Sequence, residues 1–227
     1  MKKVLLLSDI HGNIAALSAV LCDSQKSFSK IDSIWILGDF IDYGVHNYEV
    51  LSEFAKLKSK KDIRYVLGNH EDLLLRGEES YYHPRKEYSK VSSSITRNLL
   101  PPTILEYYLK NINENDFNNR YYSLFNRTTY AIHDENKIMS SKLDELLKGG
   151  EIILVGHNHL PYRKTIMVND KEVNLINPGS VGQPRNGSPC ASYAVLTYDD
   201  DDQLESVSFK QVSYDIKSES DAIKMAG

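Results

Sequence analysis

Five short stretches of the chain carry side chains able to hold a cation: Asp9-Ile10-His11, Gly38-Asp39, Gly68-Asn69-His70, a lone His133, and Gly156-His157-Asn158-His159. Together they hold five of the seven histidines. A donor set of His, Asp and Asn without cysteine suits divalent ions of borderline or moderately hard character, here Mn, Fe, Co, Ni or Zn. Taken singly, each stretch is ordinary: Asp-x-His is more often a turn, and Gly-Asp after a strand more often opens a helix. Their recurrence in one structural context points instead to a metal site.

That context is a series of apolar runs. Val4–Leu7, Ile34–Leu37, Tyr65–Leu67, Tyr130–Ile132 and Ile152–Val155 each lead directly into one of the five stretches. The runs lack period-2 alternation, which predicts strands buried on both faces. Between the first two, Ile14, Leu17 and Leu21 recur at helical spacing behind Asn13 as N-cap, and a second helix fits around Asn47–Leu57. Strand alternating with helix predicts an α/β fold. Ligands of such a fold gather at the carboxyl ends of its strands. Within Asp9-x-His11 and His157-x-His159, extended backbone would point both side chains one way. The glycines before Asp39, Asn69 and His157 would permit a sharp exit from each strand.

Residues 74–128 interrupt this rhythm. They are rich in tyrosine, and Ser92–Leu99 and Thr103–Leu109 read as helices around the breaker Pro101-Pro102, which predicts an all-helical insertion. Tyr81, Tyr82, Tyr107 and Tyr108 pack that insertion or stack on a base. After Asn174 the pattern turns to strands: Asn174–Asn177, Ser192–Tyr198 and Ser206–Tyr214. Asp199–Asp202 reads as a solvated hairpin turn, and Lys58–Lys61 as a loop entering a strand. One domain over 1–227 accommodates all of this.

Bulk properties narrow the function. The chain is 41% hydrophobic and 26% charged, enough for a real core, and its net charge of −4 offers no global attraction for nucleic acid. Cys22 and Cys190 are the only cysteines and lie far apart, so a reducing, cytoplasmic setting is expected. The apolar start, Val4–Leu7, is too short for a signal peptide, and no apolar run suits a membrane span.

The five stretches together resemble the motifs of the calcineurin-like metallophosphoesterases. DIHGNIAALSAVL, GDFIDYGVHNYEVL and NPGSVGQPRNGSPCASYAVL are similar to the small bacterial and archaeal phosphodiesterase branch, so the likeness spans almost the whole chain. The resemblance implies a sandwich of two mixed β-sheets flanked by helices, with a dinuclear site at their rim. It assigns Asp9, His11 and His159 to one metal, Asn69, His133 and His157 to the other, and Asp39 to both. Three positions depart from the family pattern: Asp134 follows the third histidine where Gly is common, Glu71 follows Gly-Asn-His, and Asn186 stands where Asp is frequent. None removes a ligand, and all bear on substrate preference.

The chemistry so implied is hydrolysis of small phosphoesters, phosphodiesters first, by a hydroxide shared between two divalent ions about 3.5–4 Å apart. With Asp9, Asp39 and that hydroxide counted, and Asn69 neutral, the inner shell keeps a charge of about +1, suited to a diester monoanion. His70 then hydrogen-bonds the phosphoryl group or protonates the leaving oxygen, or on a plainer view orients a ligand or the loop. Arg185 meets a phosphate or forms a structural salt bridge, and His46 and His83 are expected at the surface. A phosphomonoesterase or dinucleoside-polyphosphate hydrolase is the alternative activity. A non-catalytic scaffold of the same fold is disfavoured because every ligand position is kept.

Overall fold

The first apolar run shows why the strands do not alternate. In β1 (Lys2–Leu7), Leu5 and Leu7 pack against helix α1 (Ile14–Ser27) and helix α2 (Asn47–Lys58) through Leu17, Val20, Leu51 and Phe54. Val4 and Leu6 face the opposite way, into a layer shared with Trp35, Ala131, Leu154 and Ile176. Both faces of the strand are dry, so every position from 4 to 7 is apolar.

The computed structural model describes residues 1–76, 87–104, 121–124, 129–138 and 143–226. Two five-stranded sheets pack face to face. The first has the order β10-β9-β1-β2-β3, with β2 (Ser33–Ile36), β3 (Asp62–Tyr65), β9 (Ala191–Tyr198) and β10 (Leu204–Val212). Its β1, β2 and β3 run parallel, in register through Leu5–Ile34 and Ile34–Ile63. The second has the order β4-β5-β6-β8-β7: β4 (Tyr121–Leu124), β5 (Thr129–Ile132), β6 (Ile152–Leu154), β7 (Pro161–Val168) and β8 (Lys171–Pro178). Here β5, β6 and β8 are parallel, and both sheets are mixed because β9 pairs antiparallel with β1 and β10 in the first, and β4 and β7 pair antiparallel with β5 and β8 in the second. The outer face of the second sheet buries Tyr130, Ile153, Val173 and Leu175 with Leu143 and Leu147. This is the α/β sandwich that the resemblance implies.

Several boundaries differ from expectation. β3 starts earlier than Tyr65, because this edge strand is only half buried and carries Asp62 and Arg64 where an interior strand would be apolar. Helix α3 (Asn69–Arg76) begins inside the third motif, and α4 (Glu87–Leu99) starts ahead of Ser92. The insertion is not helical throughout: β4 closes it as an edge strand paired to β5 through Tyr122–Ala131. The helix expected at Thr103–Leu109 is described only as far as residue 104, and Tyr81, Tyr82, His83, Tyr107 and Tyr108 lie outside the described residues. β7 was hidden in the sequence because its exposed Arg163, Lys164 and Thr165 dilute any apolar run. Asp199–Asp202 does form the β9–β10 hairpin turn, with Asp199 Oδ1 accepting from the amides of Asp201 and Gln203. Among the described residues no helix is long and apolar enough to cross a membrane.

Candidate metal and catalytic site

The ends of β1 and β2 are laced together: Asp9 N donates to Gly38 O (3.1 Å) and His11 N to Asp39 O (3.0 Å). The two sheets meet where His157 N donates to the Asp9 carboxylate (3.1 and 3.2 Å) and Gly156 N to His133 O (2.9 Å). All seven predicted ligands and His70 therefore reach one rim.

They fall into two adjoining groups. Ligand atoms of Asp9, His11 and His159 lie within 4.8 Å of one another, as do those of Asp39, His133 and His157. In the first group His159 Nε2 is 3.3 Å from Asp9 Oδ1 and 3.2 Å from His11 Nε2. In the second, His133 Nε2 is 3.2 Å from Asp39 Oδ2, and Asn69 Oδ1 sits 3.0 Å from that nitrogen and 2.8 Å from His157 Nδ1. Ligand atoms of His70, His11 and Asp39 likewise lie within 4.8 Å of one another.

The backbone reaches this arrangement by a route other than the expected one. Asp9, His11, Asp39, His157 and His159 all take left-handed φ values, between 50° and 71°, so neither His-x-His nor Asp-x-His is extended. Such residues cost about 1–3 kcal/mol each and persist where surrounding bonds over-determine them. The glycines also act differently than supposed. Only Gly38 has a positive φ (87°); at Gly68 a Cβ would collide with the Asp39 carboxylate, and at Gly156 with Ser8 Oγ. Close approach of neighbouring loops, more than chain reversal, requires these two glycines.

The donors fit divalent cations. His133 Nδ1 donates to Leu37 O (2.7 Å) and His159 Nδ1 to Gln183 O (2.6 Å), which turns each Nε2 inward. Backbone carbonyls holding the outer nitrogen are the usual support of a ligating histidine. Burial, followed by the charge of His70, keeps His11 well below its ordinary range, while burial and then Arg185 push His159 down to about 4. Two neutral rings thus face each other across 3.2 Å, and among the described residues the Nδ1 of His11 has no hydrogen-bond partner. Without a cation, protons substitute. Burial and the neighbouring Asp39 push Asp9 up to about 7. Burial disfavours the charged form of His133, but the Asp39 carboxylate outweighs it and raises that group to about 10.

Both raised values favour the metal-free fold at low pH, and that contribution fades as pH climbs through about 7 for Asp9 and about 10 for His133. Cation loading at pH 7 is accordingly expected to release about one proton or more, with affinity rising from pH 6 to 8. Calorimetry in buffers of different ionisation enthalpy measures this; a heat independent of buffer contradicts it.

Glu71 has a positional role. Wholly buried, its Oε2 accepts from the amides of Gly68 (2.7 Å) and Asp39 (2.9 Å), and its Oε1 from those of Phe40 (2.9 Å) and Ile41 (3.2 Å). It staples the β2 and β3 exits and thereby aims Asp39. The longer Glu side chain addresses backbone, so this departure from the family pattern concerns ligand placement. Glu71→Gln turns one acceptor into a donor facing buried amides, which is expected to cost about 1–3 kcal/mol and to weaken cation affinity about 10–100-fold. Thermal melts and metal titration check both.

Asp42 was not singled out from the sequence. Fully buried, its Oδ2 lies 2.6 Å from His70 Nδ1. Burial alone would raise its carboxyl, but the bond and charge of His70, with Ser92 Oγ and Tyr43 N–H, pull it down to about 2. The available signal was an acid three residues after Asp39 in the Gly-bounded stretch GDFIDYG. Tyr43 follows, with its ring centroid 4.7 Å from His11 and 4.4 Å from His70. Exposed Arg185 donates to Gln183 Oε1 (2.8 Å), and among the described residues it pairs with this amide and with no carboxylate. His46 is half-buried, with Nδ1 3.1 Å from Glu219 Oε2 on the C-terminal helix, Ile216–Ala226.

Comparison with known proteins decides the family. Residues 1–201 match the model of the calcineurin-like phosphoesterase superfamily domain. The chain belongs to that superfamily. This calcineurin-like phosphoesterase is similar to the uncharacterized protein MJ0912 of Methanocaldococcus jannaschii, 29% identical over 227 residues that cover 94% of this chain and 88% of that one. Its similarity to phosphodiesterase YfcE of Escherichia coli K12 is 27% over 202 residues, covering 88% and 89%. Among solved structures, a metallophosphoesterase from Sphaerobacter thermophilus superposes with a TM-score of 0.69 at 26% identity, covering all of this chain and 94% of that one. These relatives place the calcineurin-like chain in the small bacterial and archaeal branch and among the phosphoesterases.

Proposed function

We propose that the protein hydrolyses small phosphodiesters with a pair of divalent cations, one held by Asp9, His11 and His159, the other by Asn69, His133 and His157, with Asp39 shared. The observation that carries this reading is the meeting of two donor groups, joined through Asp39, beside an Asp42–His70 pair. The similarity to a phosphodiesterase over most of both chains supports the diester preference.

When bound, such a cation pair lowers the pKa of water to about 7 and neutralises charge on the phosphoryl oxygens. The protein's own residues supply the remainder. Asp9 and Asp39 offer two negative charges and Asn69 none, so the site keeps a positive balance that attracts a diester monoanion. Hydrolysis forms one P–O bond from water and breaks the bond to the ester oxygen, which departs with the electron pair and needs a proton. His70 gives it: Asp42 holds Nδ1–H, which leaves Nε2–H as the acid facing the site. Tyr43, against both His11 and His70, walls the leaving-group side.

The test is purified protein stripped of metal and reloaded separately with Mn, Fe, Co, Ni and Zn, then assayed against mono- and diesters, cyclic nucleotides and dinucleoside polyphosphates. Diester hydrolysis with two equivalents of cation bound is expected. Turnover confined to monoesters, or saturation at one equivalent, overturns the corresponding part.

A further inference from the structure

Asp42 accepts more hydrogen bonds than its histidine provides. Its Oδ2 takes His70 Nδ1 (2.6 Å) and Ser93 Oγ (2.9 Å); its Oδ1 takes Ser92 Oγ (2.5 Å), Tyr43 N (2.9 Å) and Thr96 Oγ1 (3.1 Å). Three of the five donors are hydroxyls of helix α4, part of the insertion between the sheets' motifs. Ser92 and Thr96 are one turn apart and Ser93 adjoins, so one face of the helix presents all three. Helical Ser and Thr commonly bond back to their own turn. Here they reach across to a foreign carboxylate in a fully buried spot, where Ser93 and Thr96 are themselves almost inaccessible.

We infer that α4 is a positioning element for the proton-donating step, with Ser92, Ser93 and Thr96 clamping Asp42 so that His70 is aimed at the leaving oxygen. This rests on the reading of His70 given above. An ionised carboxylate has about four lone-pair sites, and five donors fill them. It cannot swivel about its last torsion without breaking several bonds at once, so the His70 ring is fixed in tautomer and direction. Among the described residues the three hydroxyls hydrogen-bond to Asp42, Tyr43 and Asn47 and to none of the seven proposed cation ligands. The same contacts hold Tyr43, whose amide also donates to Ser92 Oγ (2.9 Å). A second tie, Arg97 Nη2 to Leu73 O (3.1 Å), docks α4 on α3, the helix whose first turn carries His70.

The test compares two diesters that differ only in leaving group, an aryl ester whose phenolate departs unprotonated and an alkyl ester whose alkoxide needs the proton. The Ser92→Ala/Ser93→Ala/Thr96→Val variant is expected to bind cations as the parent does. Its kcat on the alkyl ester should fall about 10–100-fold, while that on the aryl ester stays within about threefold. Added to His70→Gln, the triple change should produce no further loss. Should the triple variant fold poorly, Thr96→Val against Thr96→Ser serves, with the hydroxyl-retaining form expected to keep the parent's leaving-group dependence. Equal losses on both esters, or additive losses in the His70→Gln background, overturn the clamp. A silent triple variant beside a crippled His70→Gln removes the clamp alone, whereas a silent His70→Gln removes the acid on which it depends.

Discussion

His70→Gln is expected to leave cation content unchanged while kcat on an alkyl phosphodiester falls about 10²–10⁴-fold, the usual worth of a positioned proton donor. Glutamine fills much the same volume, and its amide can still meet Asp42 Oδ2, so the buried carboxylate keeps a partner. What it lacks is an acidic proton on the side facing the site. The backbone amide of His70, which donates to Asp39 Oδ1 (2.9 Å), is untouched by the change, so Asp39 stays aimed. Cation content by elemental analysis and turnover by phosphate-ester assay separate the two effects. Parent-like turnover excludes His70 from proton transfer, and lost cations would make it a ligand, as its closeness to His11 and Asp39 also allows.

Asp39→Asn is expected to be more damaging, because this carboxylate is proposed to serve both halves of the site and lies close to His11 of one and His133 of the other. Oδ2 pairs with His133 Nε2 (3.2 Å), Oδ1 accepts from His70 N, and the residue is almost inaccessible. The amide preserves shape but brings the negative charge available to a cation pair from two to one. Expected are loss of at least one cation at micromolar metal and a fall in activity of about 10³-fold or more. The metal-free protein should tolerate the change far better. Asp39 is what pushes Asp9 up after burial itself, and it is also what lifts His133 against burial. Without it both groups are expected to titrate closer to their ordinary ranges, so proton release on loading should shrink. Retention of two cations at parental affinity would refute a shared role for Asp39.

Much of the architecture was legible in the chain because burial on two faces leaves a strong imprint. Val4–Leu7 and Ile152–Val155 read as strands for the reason the sandwich later supplied: each lies between a sheet and another layer. β7 and β3 were missed or displaced because edge strands need less apolar surface, and β4 because its four residues lie inside a tyrosine-rich stretch that reads as helix.

By itself the sequence determined which side chains gather at the proposed site. Asp9, His11, Asp39, Asn69, His70, His133, His157 and His159 each follow a strand of a parallel run, and strands that run parallel place their ends together whatever the loops do. Tertiary structure alone decided how those ends are aimed. Left-handed backbone at five proposed ligands, the Glu71 staple and the meeting of Asp42 with three hydroxyls of a distant helix arise from contacts between segments far apart in the chain. Local propensity does not encode such contacts: a serine or glutamate reads as polar surface until folding buries it against the one group that satisfies it.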